Sequence, residues 1–254
     1  MPLPVLTPRL SSVILIRRFP REDMRRKQFD FEDLFASYIH ATSQSLPTSP
    51  EAAPAQPRFI ISDTKRTLVV SNVTVQLTLD FGASFPAKST FKSVLSRPAE
   101  LMDKMAEQLL SHQRRAYSAI VVEWVCPKKG DLESLSRELA ALNLKPQFPD
   151  PIAFYTASIG LRSGEFYKTV ELAVYKRFQT PPPGLGGLHL DLDFDDDPVP
   201  EEGLQIKVDA NTKPQMDRPP KSAFAALIPV LQSAVEQDLA PLIGSDLVDG
   251  LKPK

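Results

Sequence analysis

The sequence predicts an α+β fold, mostly antiparallel sheet with amphipathic helices packed on one face. The first observation is strict alternation in residues 188–197 (LHLDLDFDDD). Leu188, Leu190, Leu192 and Phe194 fall on one side of an extended chain, and His189, Asp191, Asp193 and Asp195 fall on the other. Residues 204–209 repeat the pattern, with Leu204, Ile206 and Val208 against Gln205, Lys207 and Asp209. The two runs are therefore expected to be neighbouring strands. The second observation is that helical stripes are set apart from the strand runs and joined to them by hairpin-length connections. The third is that βαβ alternation with a glycine-rich turn is missing, which argues against a doubly wound nucleotide fold.

Taken in order, residues 12–18 read as a first strand, in which Val13, Ile14, Leu15 and Ile16 are consecutive and expected to be buried on both faces. Phe31, Leu34, Phe35, Tyr38 and Ile39 recur at helical spacing, with Asp30 as the expected N-cap. Residues 58–63 and 67–81 predict a hairpin whose long second arm is bent or bulged. Its Val69, Val73, Val75, Leu77, Leu79 and Phe81 are expected to share a face. A helix is expected over 98–113, started by Ser96 and Pro98. Residues 117–126 (YSAIVVEWVC) are apolar on both sides and predict a central strand. Leu132, Leu135, Leu139 and Leu142 mark a short helix, and residues 152–162 and 165–178 mark two strands turning at Ser163-Gly164. A final helix covers 222–242, and Pro229 should kink it.

The 254 residues suffice for one large domain or two small ones packed together. Residues 42–57 (TSQSLPTSPEAAPAQP) are the clearest boundary. They divide an N-terminal strand and helix (1–41) from a hairpin-helix-strand-helix unit (58–145) and a strand-rich unit with the final helix (146–254). Residues 58–254 can also be read as one domain. Proline is abundant, 25 residues against 10 glycines, about twice ordinary usage, and this implies stiff loops. Lys plus Arg (30) balances Asp plus Glu (31), so no global field draws the chain to nucleic acid or an anionic membrane. Cys126 is the only cysteine, which rules out an intrachain disulfide and a cysteine-built zinc site. The early apolar run is too short for a signal or spanning segment, so a cytoplasmic protein without membrane contact is expected.

Two clusters have chemistry to offer. Asp191, Asp193 and Asp195 lie two apart on one strand face and can share a divalent cation, as metal-dependent phosphoester hydrolysis requires, with Lys207 as a phosphate partner. A solvated strand face running into an acidic turn explains the same residues. The basic run Arg17, Arg18, Arg21, Arg25, Arg26 and Lys27 can grip phosphates or an acidic partner. Glu22 and Asp23 interrupt it, and no aromatic ladder accompanies it, so a solvated connection is the plainer reading. Glu123 lies inside an apolar strand, where a carboxylate can have a raised pKa and a role, and Cys126 reads as a core residue. With only His40, His112 and His189, a histidine-rich metal site is arithmetically difficult.

The hairpin RFIISDTKRTLVVSNVTVQLTLDF and the ending LHLDLDFDDD … PLIGSDLVDGLK resemble, in their order, a sporadically distributed bacterial family of roughly this length whose members are uncharacterised. The resemblance spans about half the chain. It implies an α+β fold and a bacterial origin, and it brings no catalytic residue.

The expected function is a non-catalytic protein-binding or assembly subunit of a bacterial multiprotein system, engaging another protein or itself as a homo-oligomer. No cofactor is expected. The alternatives are a metal-dependent phosphoester hydrolase or nuclease, with a divalent cation on Asp191, Asp193 and Asp195, and a nucleic-acid-binding protein using residues 17–27.

Overall fold

The computed structural model describes residues 6–41, 43–46, 52–82, 85–86, 89–111, 115–127, 132–143, 155–177, 201–213, 222–243 and 245–252. Its strands are β1 (Arg9–Arg18), β2 (Ser43–Ser45), β3 (Pro57–Ser62), β4 (Arg66–Ser71), β5 (Thr74–Leu79), β6 (Tyr117–Pro127), β7 (Thr156–Ser163), β8 (Phe166–Arg177) and β9 (Glu201–Asn211). Among the described residues they form one nine-stranded sheet in the order β2-β3-β4-β5-β1-β6-β9-β8-β7. Every neighbouring pair is antiparallel. The α+β expectation is met.

One face of the sheet is the core face, and alternation decides which side chains reach it. Val13 of β1, Val122 of β6, Val208 of β9 and Val170 of β8 line up across the strands, and all are buried. Leu15, Ile120 and Ala210 form the next row, and Trp124, Ile206 and Leu172 another. Each large apolar side chain removed from water in these rows contributes about 1.5–3 kcal/mol. Ile14 and Ile16 are only half-buried, so the first strand is buried on one face and partly covered on the other.

Over that face lie α1 (Gln28–Phe35), α2 (Phe91–Leu109), α3 (Leu132–Asn143), α4 (Ala223–Ser233), α5 (Ala240–Ile243) and α6 (Ser245–Leu251). α2 buries Leu95, Ala99, Met102, Met105 and Ala106, while α4 buries Phe224, Leu227 and Leu231. The two helices pack on each other; α2 also touches β1, and α4 touches β6, β9 and β8.

Several boundaries depart from the periodicity, each for a local reason. α2 begins seven residues earlier than Pro98, because Thr90 and Ser93 form a reciprocal capping box: Ser93 N donates to Thr90 Oγ1 at 3.0 Å and Thr90 N to Ser93 Oγ at 2.8 Å. Pro98 lies inside the helix and is buried there. The long arm 67–81 is two strands, since Ser71 Oγ accepts from both Val73 N (3.3 Å) and Thr74 N (3.0 Å) and closes a turn. Across that turn the inward set changes from Leu68 and Val70 to Val75, Leu77 and Leu79, leaving Val69 half-exposed. α1 starts before Asp30, which falls in its first turn and is not its cap. In the last helix the ladder continues through Pro229 and widens instead at a π turn, Ala234–Asp238, where Leu239 N donates to Ala234 O at 3.1 Å.

The acidic stretch 188–197, with Asp191, Asp193 and Asp195, lies outside the described residues. Its expected pairing with 204–209 is nonetheless corrected, because β9 is paired on one edge with β6 and on the other with β8.

Candidate functional site

The basic run is divided by the fold. Strand alternation turns Arg17 inward beneath the helices, where it is 1% exposed and donates from Nη1 to Ser118 Oγ at 2.9 Å. Burial lowers its pKa to about 10, and the nearby Asp103 carboxylate acts in the opposite direction. Lys27 is tied down as well, to Glu22 Oε2 at 2.8 Å and to the carbonyl of Leu109, where it caps the C-terminal end of α2. Glu22 in turn accepts from Ser111 N at 3.0 Å. Arg18, Arg21, Arg25 and Arg26 are exposed. Arg26 pairs with Asp23 at 3.2 Å, and Arg25 donates to Leu46 O at 3.2 Å. Two of the six cations thus serve packing, and four reach solvent.

Asp103, on α2, also receives the start of α4. Phe224 N donates to its Oδ1 at 3.0 Å and Ala225 N to its Oδ2 at 3.2 Å. Burial raises the Asp103 pKa, against the pull of those amides and of Arg17. A groove of about 680 Å³ runs beside this contact between α2 and α4. Of its rim charges, Glu100 pairs along α2 with Arg97 at 3.2 Å and with Lys104 at 2.8 Å.

The sheet face away from the helices carries a polar stripe. The register aligns Glu123 of β6, Lys207 of β9 and Glu171 of β8. Gln205 Nε2 donates to Glu123 Oε1 at 2.7 Å, and Asn211 Nδ2 donates to Asp209 Oδ1 at 3.2 Å. Burial raises the Asp209 pKa, which the Asn211 hydrogen bond and the lysines at 213 and 207 oppose. Among the described residues no three His, Cys, Asp or Glu side chains are placed to hold a metal ion. Cys126 is buried in the core, and its thiol is pushed up to about 12 by desolvation. His40 is exposed just after α1, and His112 and His189 lie outside the described residues. No described helix is long and apolar enough to cross a membrane.

The two edges of the sheet differ. β2, at one end, has three residues. β7, at the other, has eight, of which Thr156, Ser158, Ile159, Gly160, Arg162 and Ser163 are exposed. Its register with β8 is unbroken from Thr156↔Ala173 to Ser163↔Phe166, without a bulge. No family model, curated protein or solved structure matches the chain.

Main-chain direction along β7 follows from one hydrogen bond. Val174 N donates to Tyr155 O at 2.9 Å, and continuing the register places these two residues opposite each other. They are therefore a hydrogen-bonded pair, and amides and carbonyls alternate from there. The main chain of Ala157, Ile159, Leu161 and Ser163 faces β8. That of Thr156, Ser158, Gly160 and Arg162 faces away from the sheet. The tight turn to β8 at Gly164, with φ of 58°, agrees, because a two-residue loop closes on a hydrogen-bonded pair. Side chains alternate independently: Ala157 and Ile159 lie across from the buried Leu172 and Val170, on the helix side, and Ile159 is 39% exposed. The sequence predicts a strand here; its edge position depends on topology, which the run of residues does not carry.

Proposed function

We propose that this protein is a non-catalytic binding or assembly subunit that engages a protein by adding a strand to β7. The observation that carries this reading is the outward row of main-chain donors and acceptors on an eight-residue edge. Soluble proteins ordinarily blunt such an edge with proline, a bulge, lysine or a covering element. β7 contains no proline and no lysine, and its one charged side chain, Arg162, folds back with Nε donating to Gly164 O at 3.3 Å. Among the described residues β8 is the one strand beside β7, and such an edge suits strand addition, in which main-chain hydrogen bonds give affinity and alternate side chains give selectivity. Ile159 is the exposed apolar side chain that such a partner would cover.

The test is a gentle pull-down of the tagged protein from its host, weighed by native mass spectrometry, for wild type and Ser158→Pro. Proline at 158 removes an amide that faces away from β8, so the fold should melt as wild type does. A defined protein complex in wild type that disappears in Ser158→Pro is the expected result. A complex that survives the substitution would remove β7 from the account.

A further inference from the structure

Resting on the strand-addition reading, we infer that the strand added to β7 is β7 of a second copy, paired antiparallel about a two-fold axis through Ile159. A two-fold axis through any residue of a strand keeps both alternations in step, so the axis is chosen by which residues it pairs. In an antiparallel pair, residues that send their main chain towards the partner must face one another. Side chains on one face must also meet side chains on the same face. The two-fold axis through Ile159 satisfies both.

In this register Thr156 faces the second copy's Arg162, and Ser158 faces its Gly160. All four outward-facing residues of each strand thereby find hydrogen-bonding partners. The intervening positions bring Ile159 against the second copy's Ile159 and Ala157 against its Leu161, all on the helix side of the sheet. On the other face Arg162 meets a threonine, so no like charges are opposed. Moving the axis to Gly160 would set Thr156 against the second copy's Gly164, beyond the end of its strand. The axis at Ile159 pairs all four outward-facing residues within β7, whereas Ser163, whose main chain bonds to β8, falls opposite Tyr155 beyond the strand; the pairing extends the sheet into a continuous one spanning both copies. A closed two-fold pairing of this kind consumes both edges and does not propagate into a fibre.

A cysteine cross-link tests the partner and the register together. Residues at a two-fold, non-hydrogen-bonded position lie about 4.5 Å apart between Cα atoms, within disulfide range. Cys126, the one native cysteine, is buried and leaves the background low. Full-length wild type should weigh as a dimer in solution. Ile159→Cys should form a disulfide-linked dimer on mild oxidation, Ser158→Cys should not, and Ser158→Pro should be monomeric, with the melting curve that wild type shows when diluted to monomer. Wild type that remains monomeric at every accessible concentration would overturn self-pairing, as would cross-linking through 158 in preference to 159. If wild type is monomeric yet Ser158→Pro still loses a partner caught from the host, self-pairing fails while strand addition stands. A wild-type dimer unaffected by Ser158→Pro would also end self-pairing through β7, and a host partner retained by Ser158→Pro would end strand addition.

Discussion

Replacing Asp103 should loosen the helical layer, and the size of the effect can be worked from its contacts. Ser222, the residue before α4, offers no side-chain cap of its own. Asp103 supplies that cap from a different helix, through Phe224 N and Ala225 N. Loss of a cap costs about 1 kcal/mol. A carboxylate at a partly buried helix N-terminus adds about 0.5–1 kcal/mol. Asp103 also lies where its charge offsets that of the buried Arg17. Against these stands desolvation, which raises the Asp103 pKa and so disfavours its charged form. Asp103→Ala should therefore cost about 2 kcal/mol, or about 4–8 °C in Tm for a chain of this size. Asp103→Asn keeps one acceptor without the desolvated charge and should cost about half as much.

Urea denaturation at several pH values is the assay. Because the folded pKa of Asp103 lies above its unfolded value, its protonation favours the folded state. That contribution is complete below the ordinary carboxylate range and is lost as pH rises through the raised value. The advantage of wild type over Asp103→Asn should accordingly shrink as pH rises from the acid side. An Ala variant within about 0.5 kcal/mol of wild type would refute the capping argument. So would an advantage over Asn that grows with pH.

The other predictions rest on separate contacts. An added Cβ at Gly203 would sit 2.2 Å from the Cys126 carbonyl oxygen and 3.0 Å from Pro127 Cα, so Gly203→Ala should force β9 from β6 and lower stability by about 1–3 kcal/mol in urea. Asp209→Asn should raise Tm at neutral pH and lose that advantage in acid, since burial raises the Asp209 pKa; a Tm gain that persists in acid would contradict the cause. Lys168 on β8 is paired with Asp238 in the π turn, and both are largely buried. Lys168→Met should cost about 3 kcal/mol by leaving that carboxylate uncompensated, and adding Asp238→Leu should recover most of the loss. Equal stability of the single and double variants would deny the pair any role.

Much of the fold was legible where one physical pattern dominated. The alternation in 204–209 and the apolar run at 117–126 found β9 and β6, because burial on one or both faces leaves its period in the residues. The break at Asn72-Val73 escaped because one hydroxyl, Ser71 Oγ, decides it inside an otherwise continuous strand pattern. The start of α2 escaped because its capping box ends in Ser93, not in the glutamate or glutamine of the usual signature. Arg17 reads as one of six clustered cations, yet strand alternation separates it from Arg18 by sending it into the core. Sheet order is a long-range property: that β1 lies between β5 and β6, and that β7 is an edge, depends on pairings distant in sequence.

Residue-resolved amide exchange along β7, recorded by NMR at low and high protein concentration, tests the pairing of β7 with a second copy most directly. The amides of Ala157, Ile159, Leu161 and Ser163 should be protected at both concentrations, since they bond to β8. Those of Ser158, Gly160 and Arg162 should exchange freely when dilute and become protected when concentrated. Free exchange at 158, 160 and 162 at every concentration, or protection without alternation, would contradict the pairing of β7 with a second copy.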